Sequence, residues 1–97
     1  MEILKVSSGS RPGAVAGAIA NSVRGRREAM LQMIGPRAVN QAVKAVAIAR
    51  SYLAASGIDL YFTPAFATVS IEEEDRTAIQ FELHPRHSPS AQEDAND

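Results

Sequence analysis

The sequence contains no cysteine, which excludes a disulfide framework, thiolate zinc sites, iron–sulfur clusters and a cysteine nucleophile together. No apolar run approaches the ~20 residues that a membrane helix needs. The opening Met1-Glu2-Ile3-Leu4-Lys5-Val6 lacks the basic and apolar regions of an export signal. A cytoplasmic chain without membrane contact is the expectation. Carboxylates are missing from all of residues 29–58, where Arg37, Lys44 and Arg50 supply three fixed positive charges, with Arg24, Arg26 and Arg27 just upstream. The acids are concentrated elsewhere, in the run Glu72-Glu73-Glu74-Asp75 and at Glu93, Asp94 and Asp97. A net charge of −1 therefore says little about local potential. The same arginines could equally be a solvated face with no ligand.

What is present is one domain's worth of chain: 97 residues, 45% hydrophobic and 22% charged. Residues 2–6 favour a strand, ended by Ser7-Ser8-Gly9-Ser10, a run of turn and N-cap residues. Pro12, with Val15, Ile19 and Val23 recurring every fourth residue, predicts a helix over about 11–24 that Gly25 caps. Gly13, Ala16, Gly17 and Ala20 give that helix a bare surface suited to tight packing on a sheet. A second strand is expected over 28–34 and a second helix from Arg37 to about Ala55, after the Gly35-Pro36 break.

Ile58, Leu60 and Phe62, then Val69 and Ile71, then Ile79, Phe81 and Leu83 alternate with other residues. They predict a long hairpin turning at 73–75, its first strand interrupted at Pro64 by an edge position or a bulge. From His84 onward there is no periodicity, which predicts disorder; the domain is drawn as 1–86 and an acidic tail as 87–97. The order β-α-β-α-β-β gives an α/β two-layer sandwich, a mixed four-stranded sheet with both helices on one face. The other face lacks a helical cover, so a homodimer or homotetramer is expected.

Chemistry has few places to sit. His84 and His87 in His84-Pro85-Arg86-His87 make only a weak zinc pattern, and neither a metal nor a cofactor is expected. No nucleophile–base pair is recognisable, so the chain reads as non-enzymatic. The loop 7–11 has neither Walker A nor dinucleotide-fold glycine spacing. Its Ser7, Ser8, Ser10 and Arg11 nevertheless offer donors and charge at a helix start. At 100° per residue, Asn40, Gln41 and Lys44 lie within about 60° of Arg37, forming a polar stripe that is basic at the helix N-terminus. In a parallel β-α-β-α arrangement the two starts share one sheet edge. A phosphate is the expected guest, and a merely solvated stripe is the alternative.

Along Gly35-Pro36-Arg37-Ala38-Val39-Asn40-Gln41-Ala42-Val43-Lys44-Ala45-Val46-Ala47-Ile48-Ala49-Arg50 the sequence resembles the stage V sporulation protein S family. Glu2-Ile3-Leu4-Lys5-Val6-Ser7, Val15-Ala16-Gly17-Ala18-Ile19-Ala20, Pro64-Ala65-Phe66 and Arg76-Thr77-Ala78-Ile79 match as well. The helix stretch is more distantly similar to the Alba chromatin proteins, β-α-β-α-β-β dimers that bind DNA and RNA. The resemblance implies an Alba-like fold, a sporulation or developmental role, and nucleic-acid binding (DNA or RNA) through the polar positions of loop 7–11 with Arg37, Asn40, Gln41 and Lys44. Alba arms are typically basic, whereas this hairpin tip carries four carboxylates. They would be repelled by a backbone charged once per ~1.7 Å, which argues against duplex clamping by the arms. Tyr61, Phe62 and Phe66 do not form an RRM stacking platform. A protein-interaction module acting through the sheet and acidic hairpin, without nucleic acid, is the alternative function.

Overall fold

The computed structural model describes residues 1–87. Six elements follow one another: β1 (Glu2–Val6), α1 (Pro12–Arg24), β2 (Ala29–Met33), α2 (Pro36–Ala54), β3 (Ile58–Ile71) and β4 (Glu74–His87). This is the β-α-β-α-β-β order read from the sequence. The sheet order is β1-β2-β4-β3. β1 and β2 are parallel, and β4 runs antiparallel to both β2 and β3. β3 is therefore parallel to β2 but separated from it by β4, so each helix follows one strand and precedes another pointing the same way.

Side-chain alternation places Leu4, Val6, Ala29, Leu31, Met33, Phe81 and Leu83 under the helices, in one core with Ala16, Ile19, Ala20, Val23 of α1 and Ala38, Ala42, Ala45, Val46, Ala49, Leu53 of α2. The small residues of α2 let it approach both α1 and the sheet. α1 packs most extensively against α2 rather than on the strands. The bare-surface expectation for α1 holds for only two of its four positions. Ala16 and Ala20 are buried, but Gly13 and Gly17 face solvent, and a Cβ built on either meets nothing within 4 Å. The one buried polar side chain among the described residues, Ser22, donates to Glu2 Oε1 at 2.7 Å, so no uncompensated hydroxyl is left inside.

Two expectations about the hairpin are corrected. β3 is not interrupted at Pro64: fourteen residue pairs from Ile58↔His87 to Ile71↔Glu74 run in one register with no bulge. Pro64 is tolerated because β3 is the sheet edge, where one side of the strand has no neighbour to receive a ladder bond. Nor does order end at His84. Residues 84–87 continue β4 against 58–61, held by the Tyr61–His84 ring stack at 4.9 Å and by Arg86 bonding Asp59 at 3.2 Å. Positions 88–97 of the expected tail lie outside the described residues. The turn falls one residue earlier than expected, with Glu72 (φ 49°) and Glu73 (φ 67°) at its centre. That is the two-residue geometry with both central residues left-handed.

β2 contacts β4 only from Met30 to Met33, opposite Ile79 to Glu82. Past Ile79 the hairpin continues as a two-stranded arm, about 17 Å long at ~3.4 Å per residue, and the molecule measures 57 × 21 × 19 Å.

Candidate nucleic-acid interface

Val6 ends β1, and the chain turns at once. The Ser7 N–H donates to Ser10 Oγ at 2.9 Å and the Ser10 N–H returns to the Ser7 carbonyl at 3.1 Å. Ser10 therefore closes its own turn and does not cap α1. The capping position belongs to Arg11 (φ −84°, ψ 120°), with Pro12 opening the helix. At α2 the corresponding position is Gly35 at φ 90°, ψ 157°, a conformation open essentially to glycine alone, followed by Pro36. Neither helix start has a side-chain cap, and neither first turn contains an acid. Each thus presents first-turn amides and the positive end of a helix dipole with no side-chain acceptor.

These two starts are joined. Gln41 Nε2, one turn into α2, donates to the Ser10 carbonyl at 2.9 Å, tying the 7–11 turn to the helix that carries Arg37. Gln41 and Ser10 are half-buried by this contact, while Ser7, Ser8, Arg11, Arg37, Asn40 and Lys44 are exposed. Ser7, Ser8, Ser10 and Arg11 follow the carboxyl end of β1, Arg37 stands in the first turn of α2 with Asn40 and Gln41 one turn on, and Lys44 lies about 12 Å along the helix at 1.5 Å per residue. The stripe reading of α2 also holds, because its opposite side, from Ala38 to Leu53, is core.

The cations of the acid-free block and of the segment just upstream are not equivalent. Arg50 pairs with Asp59 at 2.9 Å, Arg27 with Glu2 at 3.6 Å, and Arg24 donates to the Tyr52 carbonyl at 2.9 Å. Hydrogen bonds from the Arg50 side chain, the Leu60 N–H and the Arg86 side chain hold the Asp59 carboxyl below its ordinary value. Among the described residues, Arg11, Arg37 and Lys44 have no acidic partner. The rim formed by the joined turns and the polar stripe of α2 thus carries the uncommitted fixed charge. No pattern in the sequence marked Arg50 as spent, since its partner lies across a helix-to-strand connection.

Because β3 runs parallel to β2, the acidic arm leaves from the end of the sheet where the 7–11 turn lies. Its inner surface, Val69 and Ile71, faces Ser7, Ser8, Lys5 and Ile34 across a cleft of about 500 Å³. The carboxylates of Glu72, Glu73, Glu74 and Asp75 are exposed beyond it. The 7–11 turn and the anionic finger are neighbours at one end of the sheet.

Compared with known protein families, the chain matches Stage V sporulation protein S (SpoVS) over residues 2–86. The chain belongs to this family. Membership carries a sporulation-related role and accounts for the match of both helix starts and most of the hairpin in one continuous span. The matched span covers the joined turns, the arm and its tip. No helix among the described residues is long and apolar enough to cross a membrane.

Proposed function

We propose that this SpoVS protein is a non-enzymatic, cytoplasmic developmental regulator that binds nucleic acid, DNA or RNA, through phosphate contacts at the joined turns, as a homodimer or homotetramer. The observation that supports this most directly is the Gln41–Ser10 bond, which ties together two uncapped helix starts carrying Arg11 and Arg37, with Lys44 two turns further along the polar stripe of α2. Backbone amides and fixed cations of this kind recognise phosphate without reading sequence. Binding is accordingly sequence-tolerant and salt-sensitive.

Electrophoretic mobility shift with duplex DNA and with single-stranded RNA, at two salt concentrations, tests it. Retardation that weakens with salt and is lost in Arg37→Glu and Lys44→Glu is the expected result. Unchanged affinity in both variants removes the site. The second reading, a protein-interaction module, is favoured by Phe66, 80% exposed on the edge strand, and by the four exposed tip acids. In that case no nucleic acid is retarded, and charge reversal at 72–75 alone abolishes function in cells.

A further inference from the structure

At the opposite edge of the sheet the chain forms a second concavity, independent of the phosphate-facing rim. Beyond Glu82, β4 has β3 on one side only, because β2 begins at Ala29. The notch left beside β4 is walled on its other side by the end of α1 and the turn that follows. It encloses about 550 Å³, within the range of small-ligand sites. Arg24, Arg26 and Arg27 line it together with His84 and His87, and Val23, Ile58 and Pro85 supply apolar wall. The imidazole of His84 is fixed by Thr63 Oγ1 at 2.9 Å and by its stack on Tyr61.

The backbone of the turn is unusual at the residue that matters most. α1 ends with the Arg27 N–H bonded to the Ser22 carbonyl and the Arg26 N–H bonded to the Val23 carbonyl, both at 3.0 Å. This is the six-residue Schellman closure, and its left-handed position normally holds glycine. Gly25 stands one residue too early, at φ −79°, and Arg26 occupies the slot at φ 56°. An arginine there is conformationally disfavoured. It also puts a guanidinium on the cleft, and among the described residues Arg26 has neither an ion-pair partner nor a side-chain hydrogen bond, unlike Arg24 and Arg27. The helix-end carbonyls that would repel an anion are partly taken up by the Schellman bonds.

We propose that this cleft binds a nucleoside monophosphate. The phosphate is held by Arg26 with Arg24 and Arg27, the base lies on the apolar wall, and Glu28 and Glu82, which also line the cleft, accept from hydroxyl or exocyclic amino groups. Two acids among the cations disfavour a bare anion and suit a ligand that carries donors as well as charge.

Isothermal titration of the full chain with adenosine and guanosine 5′-monophosphate, with the parent nucleosides and with inorganic phosphate tests the proposal. At least one nucleotide binds, and the nucleosides and inorganic phosphate each bind at least about tenfold more weakly. Arg26→Gly suits the left-handed backbone, so it folds with an equal or higher melting temperature while nucleotide affinity falls by about tenfold or more. Arg37→Glu, on the other rim, leaves nucleotide binding intact whatever it does to DNA or RNA, so the two sites fail separately. No detectable nucleotide binding, inorganic phosphate binding to Arg37→Glu as tightly as the nucleotide does, an unaffected Arg26→Gly, or loss of nucleotide binding in Arg37→Glu would each overturn it.

Discussion

Replacing Gln41 by alanine removes no charge, yet it unties the two helix starts. The lost contact is a neutral amide-to-carbonyl hydrogen bond at 2.9 Å, half-buried, whose acceptor at Ser10 can rehydrate. Its net worth is about 1 kcal/mol, and the melting temperature of a domain this size falls by about 4–8 °C. If the wild-type protein meets phosphate with its turns already joined, the variant must supply the same ordering energy on binding. A cost of about 1 kcal/mol corresponds to roughly fivefold weaker affinity. The dependence of affinity on salt should not move, because the number of phosphates neutralised is the same. Arg37→Gln behaves oppositely, lowering the slope of log affinity against log salt by about 0.9 for a duplex and about 0.7 for a single strand. Denaturant unfolding paired with a salt series of fluorescence anisotropy measurements separates the two effects. A Gln41→Ala protein that loses stability but keeps its affinity, or whose salt slope falls as far as that of Arg37→Gln, refutes the idea of a preorganised rim.

Other outcomes follow from the core and from the edge strand. Leu31→Ala empties a fully buried position between β1 and β4 and costs about 2–5 kcal/mol, read as a lowered denaturant midpoint with little change in its slope. Asp59 has its carboxyl depressed by the Arg50 and Leu60 hydrogen bonds, so its contribution is present above pH 3.8 and is lost as pH falls through the lower folded value. In Asp59→Asn that acid-limb loss of stability should be smaller, and an unchanged acid limb in unfolding titrations would show that the pair contributes nothing.

The helices were legible because their signals are local. Pro12, Pro36, the i, i+4 apolar spacing in α1 and the polar stripe of α2 all lie within a few turns of the residues they organise. The parallel pairing of β1 with β2 followed from the order of elements. Residues 84–87 were not legible, because Pro85 and Arg86 look like coil until Asp59 and Tyr61 are brought across the sheet to meet them. At the candidate site, residue types and the shared sheet edge could be read from periodicity and topology. The Gln41–Ser10 bond could not, since it joins residues 31 apart in sequence, and the Ser10 hydroxyl, which a serine before a helix suggests as a cap, is taken by the Ser7 N–H instead. Arg26 was hidden for a similar reason: Gly25 beside it has the composition of a helix terminator, and only the Schellman register shows that the arginine holds the left-handed position.

The acidic tip presents the sharpest conflict in the molecule, and it can be resolved experimentally. A two-residue turn with both centres left-handed favours Asn-Gly, and here Glu72 and Glu73 hold those positions at φ 49° and φ 67°. Left-handed backbone costs roughly 1–2 kcal/mol per ordinary residue. The substitution Glu72→Asn with Glu73→Gly therefore relieves strain and should raise stability by about 1–2 kcal/mol, less the extra freedom that glycine gives the unfolded chain. The same change removes two of the four carboxylates at the end of the sheet where the 7–11 turn lies. If the rim binds phosphate and the finger only opposes it, nucleic-acid affinity rises with stability. If the finger instead engages a basic surface on a partner, stability rises while activity in sporulating cells falls. Stability and function moving in opposite directions would show that the strained acids are retained for what they contact, and would shift the function of the rim toward assembly with another protein. A fall in stability would show that Glu72 and Glu73 are not strained at the tip and that their carboxylates stabilise the hairpin instead.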